Sequence, residues 1–309
     1  MISVPTTLID ALARETDRPL PFAVSAFVDA ATTRFGESVA AILFYGSCRR
    51  ADQPDGLYDL YVILDDYRGL PRGEAVLAAM LPPNVYYLEV VTDAGTRRAK
   101  CTVISRADFS RGVQHWFHSY LWGRFCQPVS LVYTRDVPVR LEMLACLGQA
   151  VTKFIGEAIC LQGAQFDTRA LWVDGLRMSY STELRSEGPD RAAELVATHA
   201  DFYDVVTAAA APVTDLIATA PGRWRSTLTQ RRRRQTVRAW RIRGLTGKFQ
   251  ALARILKAWI TFDGGFDYIV WKLERHSGRH IEVPERVRRH PALHMWGFFW
   301  RLYRAGVFR

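Results

Sequence analysis

The chain has 309 residues, 49% of them hydrophobic, so it can bury the cores of two domains. No stretch approaches eighteen uninterrupted apolar residues, which argues against a membrane-spanning helix. Acidic residues near the amino terminus argue against a secretory or transit signal. The five cysteines are scattered, without a Cys-x-x-Cys pair, which argues against a zinc or disulfide framework and indicates reduced, cytosolic thiols.

Charge is distributed unevenly along the chain. Of the 41 basic and 31 acidic residues, 21 basic and 5 acidic ones follow residue 220, so that section has a net charge of +16. The first 220 residues hold the other 20 basic and 26 acidic residues, a net charge of −6. A cationic section of this kind implies an anionic partner, either nucleic acid or anionic lipid.

The amino-terminal part predicts a small mixed sheet with helices on one face, because helices and β-rich segments alternate. Further along, the pattern predicts a mainly helical middle, a linker and an amphipathic helix. The predicted helices are Leu20–Phe35, Leu70–Leu81, Asp108–Phe125, Leu141–Leu161, Asp167–Leu184, Glu194–Ala211 and Gly244–Phe262. The predicted strands after the first pair are Asn84–Thr92 and Lys100–Ile104. The predicted linker is Pro212–Arg225.

The segment Ala41–Tyr67 predicts a buried strand, a tight turn at Gly46-Ser47 and a second strand that carries Asp59. A Gly-Ser turn followed about a dozen residues later by a strand aspartate is typical of nucleotidyltransferases. Glycine lets the backbone approach a triphosphate, serine and neighbouring amides hold phosphate oxygens, and the aspartate holds Mg²⁺. The alternative is an ordinary β-turn beside a strand-end aspartate.

A second carboxylate for the metal is not evident next to Asp59. Polymerase-like transferases usually place two carboxylates two residues apart, but Leu57 and Tyr61 occupy those positions here. The pair Asp65-Asp66 lies roughly 20 Å further along an unbroken strand, which favours a polar strand end. Glu89, within a β-rich segment, is the best candidate for the second ligand, and an outward-facing edge residue is its alternative.

Two cations are candidates for binding phosphate. Lys100 opens a predicted strand and could act as a point charge, although a solvated strand-end lysine is the more frequent case. Arg124 follows Gly123 in an aromatic stretch and could make bidentate phosphate contacts. A solvated arginine on a core helix is the alternative for Arg124.

The carboxy-terminal section has the composition of a membrane-docking region. Its predicted helix has an apolar stripe with cations elsewhere, and six of the nine tryptophans follow residue 220. We expect lipid contact from Lys248, Arg254, Lys257 and Trp259. The alternative is a helix that packs on its own domain, and no nucleic-acid recognition motif is evident.

Several stretches in a fixed order resemble one family, the mitochondrial-type phosphatidate cytidylyltransferases, also known as translocator assembly and maintenance proteins. The most specific of them has a Trp, then Tyr at +4, Gly-Arg at +7 and +8, and Pro-Val at +12 and +13. The matching residues are Tyr45-Gly46-Ser47, Asp59 with Asp65-Asp66, Val85-Tyr86-Tyr87, Lys100, Trp116, Tyr120, Gly123-Arg124, Pro128-Val129 and Ser179-Tyr180 followed by Glu183-Leu184-Arg185. The chain departs from the family at Cys48, Leu88 and Thr182.

The resemblance implies an α+β fold: a nucleotidyltransferase (DNA polymerase beta-like) mixed sheet in residues 1–138, then a mainly helical, winged-helix-like domain in 139–220. Residues 221–309 would form the basic, amphipathic membrane-docking region. The implied reaction is Mg²⁺-dependent transfer of CMP from CTP to phosphatidic acid, which gives CDP-diacylglycerol and pyrophosphate. The implied location is cytoplasmic, peripheral on the inner face of the cell membrane, without a nucleic-acid partner.

The implied roles place the metal on Asp59 and Glu89, nucleotide binding on Tyr45, Gly46, Ser47 and Lys100, and catalysis on Asp59, Lys100 and Arg124. Two other functions stay open at this point. One is a nucleotidyltransferase with a non-lipid acceptor, and the other is a domain that binds nucleotide or lipid without turnover, which the missing second carboxylate favours.

Overall fold

The computed structural model describes residues 4–20, 23–49, 56–93, 95–183, 190–261 and 281–289, with six further residues between 294 and 304. Their architecture is mixed α+β, as the sequence predicted, with one five-stranded sheet, one three-stranded sheet and helices around both. Leu184 and Phe262, which the sequence predicts as helix ends, lie outside the described residues.

The larger sheet is mixed, with the strand order β3-β4-β2-β1-β5, and only the β2–β4 pair is parallel among its four pairings. Its strands are β1 (Val39–Tyr45), β2 (Leu57–Leu64), β3 (Asn84–Thr92), β4 (Gly95–Ser105) and β5 (Ser130–Thr134). The sequence prediction of β3 is confirmed at both ends. Strand β4 is longer than predicted because it pairs along the whole of β3, and β5 was not predicted.

Both faces of the central strands are buried, which explains their nearly continuous apolar sequences. Tyr61 and Ile63 point to one face and Leu60 and Val62 to the other, because side chains alternate along β2. The second face is covered by α2 (Ala23–Phe35), beside the short α3 (Arg72–Met80). The first face belongs to a core that continues into the helical half of the chain.

The aromatic stretch predicted as one helix, 108–125, is two helices, so that prediction was wrong. Helix α4 is Arg106–Gln114 and the single turn α5 is Trp122–Phe125. The intervening chain folds back, and the Trp122 indole donates a hydrogen bond to the carbonyl oxygen of Trp116 at 3.1 Å. Aromatic residues are buried on several sides here, so they carry no clear helical period.

The longest buried helix is α6 (Val137–Ala158), which begins four residues earlier than predicted because Asp136 caps it. The side chain of Asp136 accepts a hydrogen bond from the Val139 amide at 2.8 Å. With the turn that follows, this helix is long and apolar enough to span a membrane, but 67% of its apolar window is buried inside the protein. We therefore describe α6 as a core helix.

The five cysteines are all free and buried.

A second sheet lies where the sequence predicted a linker, so that prediction was wrong. Strands β7 (Leu216–Ala220) and β8 (Arg223–Ser226) form a hairpin, and β8 also pairs with β6 (Gln165–Asp167). The sheet therefore joins residues on both sides of the expected domain boundary at 220. The helices beside it are α7 (Thr168–Ser181), α8 (Arg191–Thr198) and α9 (Ala200–Ala210), the last two replacing one predicted helix. The helix α1 (Thr6–Thr16) packs on α6 and α9.

The basic section is built into the fold rather than appended to it. Helix α10 (Gln230–Thr261) begins fourteen residues before the predicted Gly244 and includes the arginine run. Trp240 is buried and its indole donates to the Glu157 carbonyl at 2.8 Å, while Arg243 pairs with the Glu157 carboxylate at 2.7 Å. Both lie against the end of α6. Trp224, on β8, is also buried, so neither tryptophan is a lipid-facing residue.

Candidate active site

The sheet register places three predicted site residues and Tyr87 in one row. Tyr45, Asp59, Lys100 and Tyr87 are direct partners across β1, β2, β4 and β3. Side chains of one row point to the same face, and this row shares the parity of Tyr61, whose ring packs edge-on against Phe125 at 4.8 Å between centroids. The row therefore lies on the face covered by α5, where Asp59 and Lys100 are half-buried.

Gly46 is in van der Waals contact with Asp59. It follows β1 directly and has a φ of 90°, which favours glycine. A Cβ atom added here would lie 2.5 Å from Asp59 Oδ2. Ser47 then begins a single 3₁₀ turn that ends at Arg49. The absence of a side chain at Gly46 thus keeps the carboxylate of Asp59 and the backbone of the Gly-Ser turn adjacent.

Arg124 lies above this row. Its guanidinium carbon is 5.7 Å from the ring centroid of Tyr45 and 4.6 Å from that of Tyr120, and its Nη1 donates to the Tyr120 carbonyl at 2.9 Å. Its other amine lies 3.6 Å from the carboxylate of Glu183. The alternative of a solvated arginine is therefore wrong, since the side chain is only 12% exposed.

Two stretches that carried the family resemblance meet at this arginine. Ser119 and Thr182 share a hydrogen bond of 3.1 Å, and Arg124 faces Glu183. A Cβ atom on Gly123 would clash with the side chain of Ser179, so this glycine permits α5 to approach α7. The end of α7 thus holds α5 in place, and α5 presents Arg124 to the strand row.

Positive charge is concentrated around Tyr120. Burial by itself would raise the pKa of this phenol, but the charges of Arg124, Lys100 and Arg254 outweigh burial and lower it. Lys100 makes no hydrogen bond or ion pair with any residue within the described ranges. Cations that outnumber the carboxylates beside them are suited to binding the oxygens of phosphate groups.

Glu89 is not adjacent to Asp59. It lies opposite Arg98 on β4, and Arg98 in turn lies opposite Leu57 on β2. Two strand spacings and two residues put the Cα atoms of Glu89 and Asp59 about 12 Å apart. Glu89 is half-exposed, accepts a hydrogen bond from the Tyr87 hydroxyl at 2.8 Å and pairs with Arg98 at 3.3 Å. This favours the edge-residue interpretation, so Glu89 has no place in the site proposed below.

The interpretation of Asp65-Asp66 as a polar strand end is confirmed. Strand β2 ends at Leu64, and Asp65 pairs with Arg106 and Arg135 on the rim of the sheet. The hydrogen bonds from Arg135 and Arg106 lower the pKa of Asp65. Its neighbour Asp66 is half-exposed and accepts a hydrogen bond from Arg68.

The four residues predicted to contact lipid have different environments. Lys248 is exposed on α10. Lys257 is buried, and its ammonium donates to the carbonyl oxygens of Leu81 and Pro83 and to Asn84 Oδ1, so it fastens α10 to the start of β3 instead of facing lipid. Arg254 points inward and lies 4.0 Å from the Tyr120 ring centroid. The side chain of Trp259 lies outside the description.

The sequence did not indicate that Tyr120, Glu183 and Arg254 lie around Arg124 at the candidate site. Tyr120 and Glu183 were visible only as members of motif spacings, without a role. Arg254 could not be recognised because its contacts come from a chain segment more than a hundred residues away.

Comparison with known proteins gives a family match for part of the chain. A family model described as "Phosphatidate cytidylyltransferase, mitochondrial" matches residues 66–209, which include Lys100, Arg124 and Glu183. The match begins after Asp59, so the Gly-Ser turn and its aspartate lie outside it. No curated protein matched the chain.

The protein is therefore a nucleotidyltransferase enzyme. Residues 66–209, just under half of the chain, match the phosphatidate cytidylyltransferase family, whose activity is the synthesis of CDP-diacylglycerol. The resemblance seen in the sequence is confirmed.

Replacing Gly46 with alanine tests the contact between the turn and Asp59. The new methyl group and the φ of 90° would displace Asp59 or the turn, and an active-site misplacement of about 1 Å costs on the order of a hundredfold in rate. We expect cytidylyltransferase activity to fall at least about tenfold. Gly156→Ala is the matched control, because a Cβ atom there meets nothing within 4 Å. Equal activity in both variants would contradict the role of Gly46.

Proposed function

We propose that this chain transfers CMP from CTP to phosphatidic acid at the row formed by Asp59 and Lys100. The proposal rests on one observation: Asp59 and Lys100 are direct partners on neighbouring strands. The Asp59 carboxylate lies against Gly46, and Lys100 has no hydrogen-bond or ion-pair partner among the described residues. The order of the larger sheet, with the Gly-Ser turn after its first strand and the aspartate on its second, supports a nucleotidyltransferase fold of the DNA polymerase beta-like type.

The proposed reaction is a single displacement at the α-phosphorus. A phosphate oxygen of phosphatidic acid forms a bond to that phosphorus, and the bond from it to the oxygen bridging the β-phosphorus breaks. Pyrophosphate leaves with the electron pair of the broken bond. Because an ionised phosphate is already a nucleophile, the protein need not remove a proton, and its contribution is positioning and electrostatic stabilisation.

Different residues of the site bind the triphosphate and offset the phosphate charge. The backbone at Gly46 and the hydroxyl of Ser47 hold triphosphate oxygens, with the ring of Tyr45 beside them. Lys100 and Arg124 offset the negative charge that accumulates on the phosphates, since both lie on the face of Asp59. Glu183 and Tyr120 orient the guanidinium of Arg124.

The donor set fits a metal ion that arrives with the nucleotide. Among the described residues no group of three His, Cys, Asp or Glu side chains could hold a metal, and Asp59 is the carboxylate at the turn. Mg²⁺ commonly uses one or two carboxylates together with substrate phosphates and waters. Asp59 would therefore hold Mg²⁺ as part of the CTP complex, and the ion would neutralise charge on the triphosphate.

The aspartate is tested by Asp59→Asn, which keeps the shape of the side chain and removes its charge. We expect CDP-lipid formation from radiolabelled CTP, Mg²⁺ and phosphatidate vesicles to fall at least about a hundredfold, because the metal loses its charged protein ligand. Asp93→Asn, an exposed residue at the turn between β3 and β4, should keep full activity. Unchanged turnover in Asp59→Asn would refute the proposed role. Transfer of CMP without phosphatidate would instead indicate a non-lipid acceptor.

A membrane-docking face on α10 forms the second part of the proposal. The exposed apolar side chains of Ile242, Leu245 and Phe249 lie at helical spacing, with 51%, 73% and 78% of each exposed. Exposed cations on the same side flank them: Arg231, Arg234, Arg238, Arg241 and Lys248. Apolar residues bordered by cations suit an anionic lipid surface, which supports a peripheral position on a membrane.

The winged-helix-like form of the middle domain stays a prediction. The order of α6, β6, α7 to α9 and the β7–β8 hairpin supports it.

The docking face is tested by the double variant Leu245→Ser, Phe249→Ser. We expect flotation with phosphatidate-containing vesicles to fall at least about tenfold, since burial of two large apolar side chains contributes about 3 kcal/mol or more to membrane binding. The control is Met80→Ser with Val91→Ser, two equally exposed apolar residues on α3 and β3. If both double variants floated like the unaltered protein, α10 would not be the docking element.

A further inference from the structure

Tyr120 lies against two guanidinium groups that come from distant parts of the chain. The guanidinium carbon of Arg254, on α10, is 4.0 Å from the ring centroid, and that of Arg124, on α5, is 4.6 Å from it. Cation–π contacts of this length stabilise each guanidinium modestly. They do not neutralise its charge, so two positive charges share one aromatic ring.

The balance of charges around that ring favours an anion. Arg124, Lys100 and Arg254 are the cations that lower the pKa of Tyr120 against the effect of burial. Glu183 faces Arg124, and Asp59 lies beside Lys100 in the strand row. Within the described ranges, Arg254 has no carboxylate within ion-pair distance.

Arg254 also lacks a hydrogen bond where one is needed. Its Nε is buried without a hydrogen-bond partner among the described residues, and so are Gln250 Oε1, one turn earlier on α10, and His118 Nδ1. An unpaired buried polar group costs roughly 1–3 kcal/mol, more when it is charged. Positive charge from Arg254 lowers the pKa of His118, with burial as the larger cause, so the two side chains face one region.

The other cations of α10 that point inward all have partners. Arg233 donates to the carbonyl oxygens of Cys160 and Gln162 at 3.1 and 2.6 Å, Arg243 pairs with Glu157, and Lys257 has three oxygen acceptors. Packing of α10 therefore does not by itself leave inward cations unpaired. Arg254 differs from them because its guanidinium is directed at the proposed active site.

We propose that Arg254 binds a phosphate group of a substrate and completes, with Lys100 and Arg124, an anion site around Tyr120. This inference rests on the proposed function and assigns part of that site to the carboxy-terminal section. A guanidinium binds two phosphate oxygens through parallel N–H groups. The phosphate belongs either to the triphosphate of CTP or to the headgroup of phosphatidic acid, and the two sources can be separated by experiment.

The test uses Arg254→Met, which keeps an apolar side chain against Tyr120 and removes the charge, and Arg254→Lys, which restores the charge. The control is Arg169→Met, an exposed arginine on α7 that belongs neither to the proposed site nor to the docking face. Calorimetry with CTP and Mg²⁺ gives the nucleotide affinity. Turnover in detergent micelles with varied phosphatidate gives the lipid KM. Thermal melting of each variant monitors the fold.

If Arg254 binds the triphosphate, Arg254→Met weakens CTP binding at least about tenfold, because the complex loses at least one charge-assisted hydrogen bond. If it binds the lipid headgroup, CTP affinity is kept and the phosphatidate KM rises by a similar factor. In either case Arg254→Lys recovers part of the loss and Arg169→Met behaves like the unaltered protein.

The proposal is overturned if Arg254→Met folds and keeps both values, or if Arg254→Lys is as impaired as Arg254→Met at an equal melting temperature. If Arg254→Met does not fold, Arg254→Lys is compared with the unaltered protein instead. Lysine cannot make the bidentate contact, so we expect either weaker CTP binding or a higher phosphatidate KM in Arg254→Lys. Failure of the unaltered protein to bind CTP or form CDP-lipid would instead refute the proposed function.

Discussion

One buried guanidinium connects the three parts of the chain that form the site. Arg124 lies against Tyr45 at the end of β1, bonds the backbone of the segment before α5 and faces Glu183 beyond α7. Removing a charge from water is costly unless aromatic faces, hydrogen bonds and an opposite charge compensate it, and all three are present here. The sheet, α5 and the helical half are therefore held in one arrangement at the point where charge is needed.

The same arrangement explains why the basic section is part of the body. Helix α10 is held at its first half by Trp240 and Arg243 against α6 and at its far end by Lys257 against the start of β3. Between these anchors, Arg254 faces inward and Leu245 and Phe249 face outward. One helix thus has one side directed at the proposed site and another side that forms the proposed docking face.

The sequence predicts the sheet better than the helical half, for physical reasons. The strand β3 and the polar strand end at Asp65 follow from local patterns, alternation and turns, and they agree with the structure. The split between α4 and α5 and the β7–β8 hairpin depend on tertiary packing that overrides local propensity. In the site, Asp59 and Arg124 were identifiable from motif spacing. The separation of Glu89 from Asp59 is set by the order of the strands in the sheet. The inward position of Arg254 is set by the path of α10. Neither the strand order nor the path of α10 can be read from a local sequence pattern.

We propose that CTP binds with its triphosphate between the Gly46-Ser47 turn and Lys100, and with its metal on Asp59. A crystal structure with CTP and Mn²⁺ would test this binding mode, because manganese can be located by its anomalous scattering. We expect the manganese signal on the Asp59 carboxylate, with phosphate oxygens contacting Lys100 and the turn. A nucleotide bound elsewhere, with neither Asp59 nor Lys100 in contact with it, would contradict this binding mode.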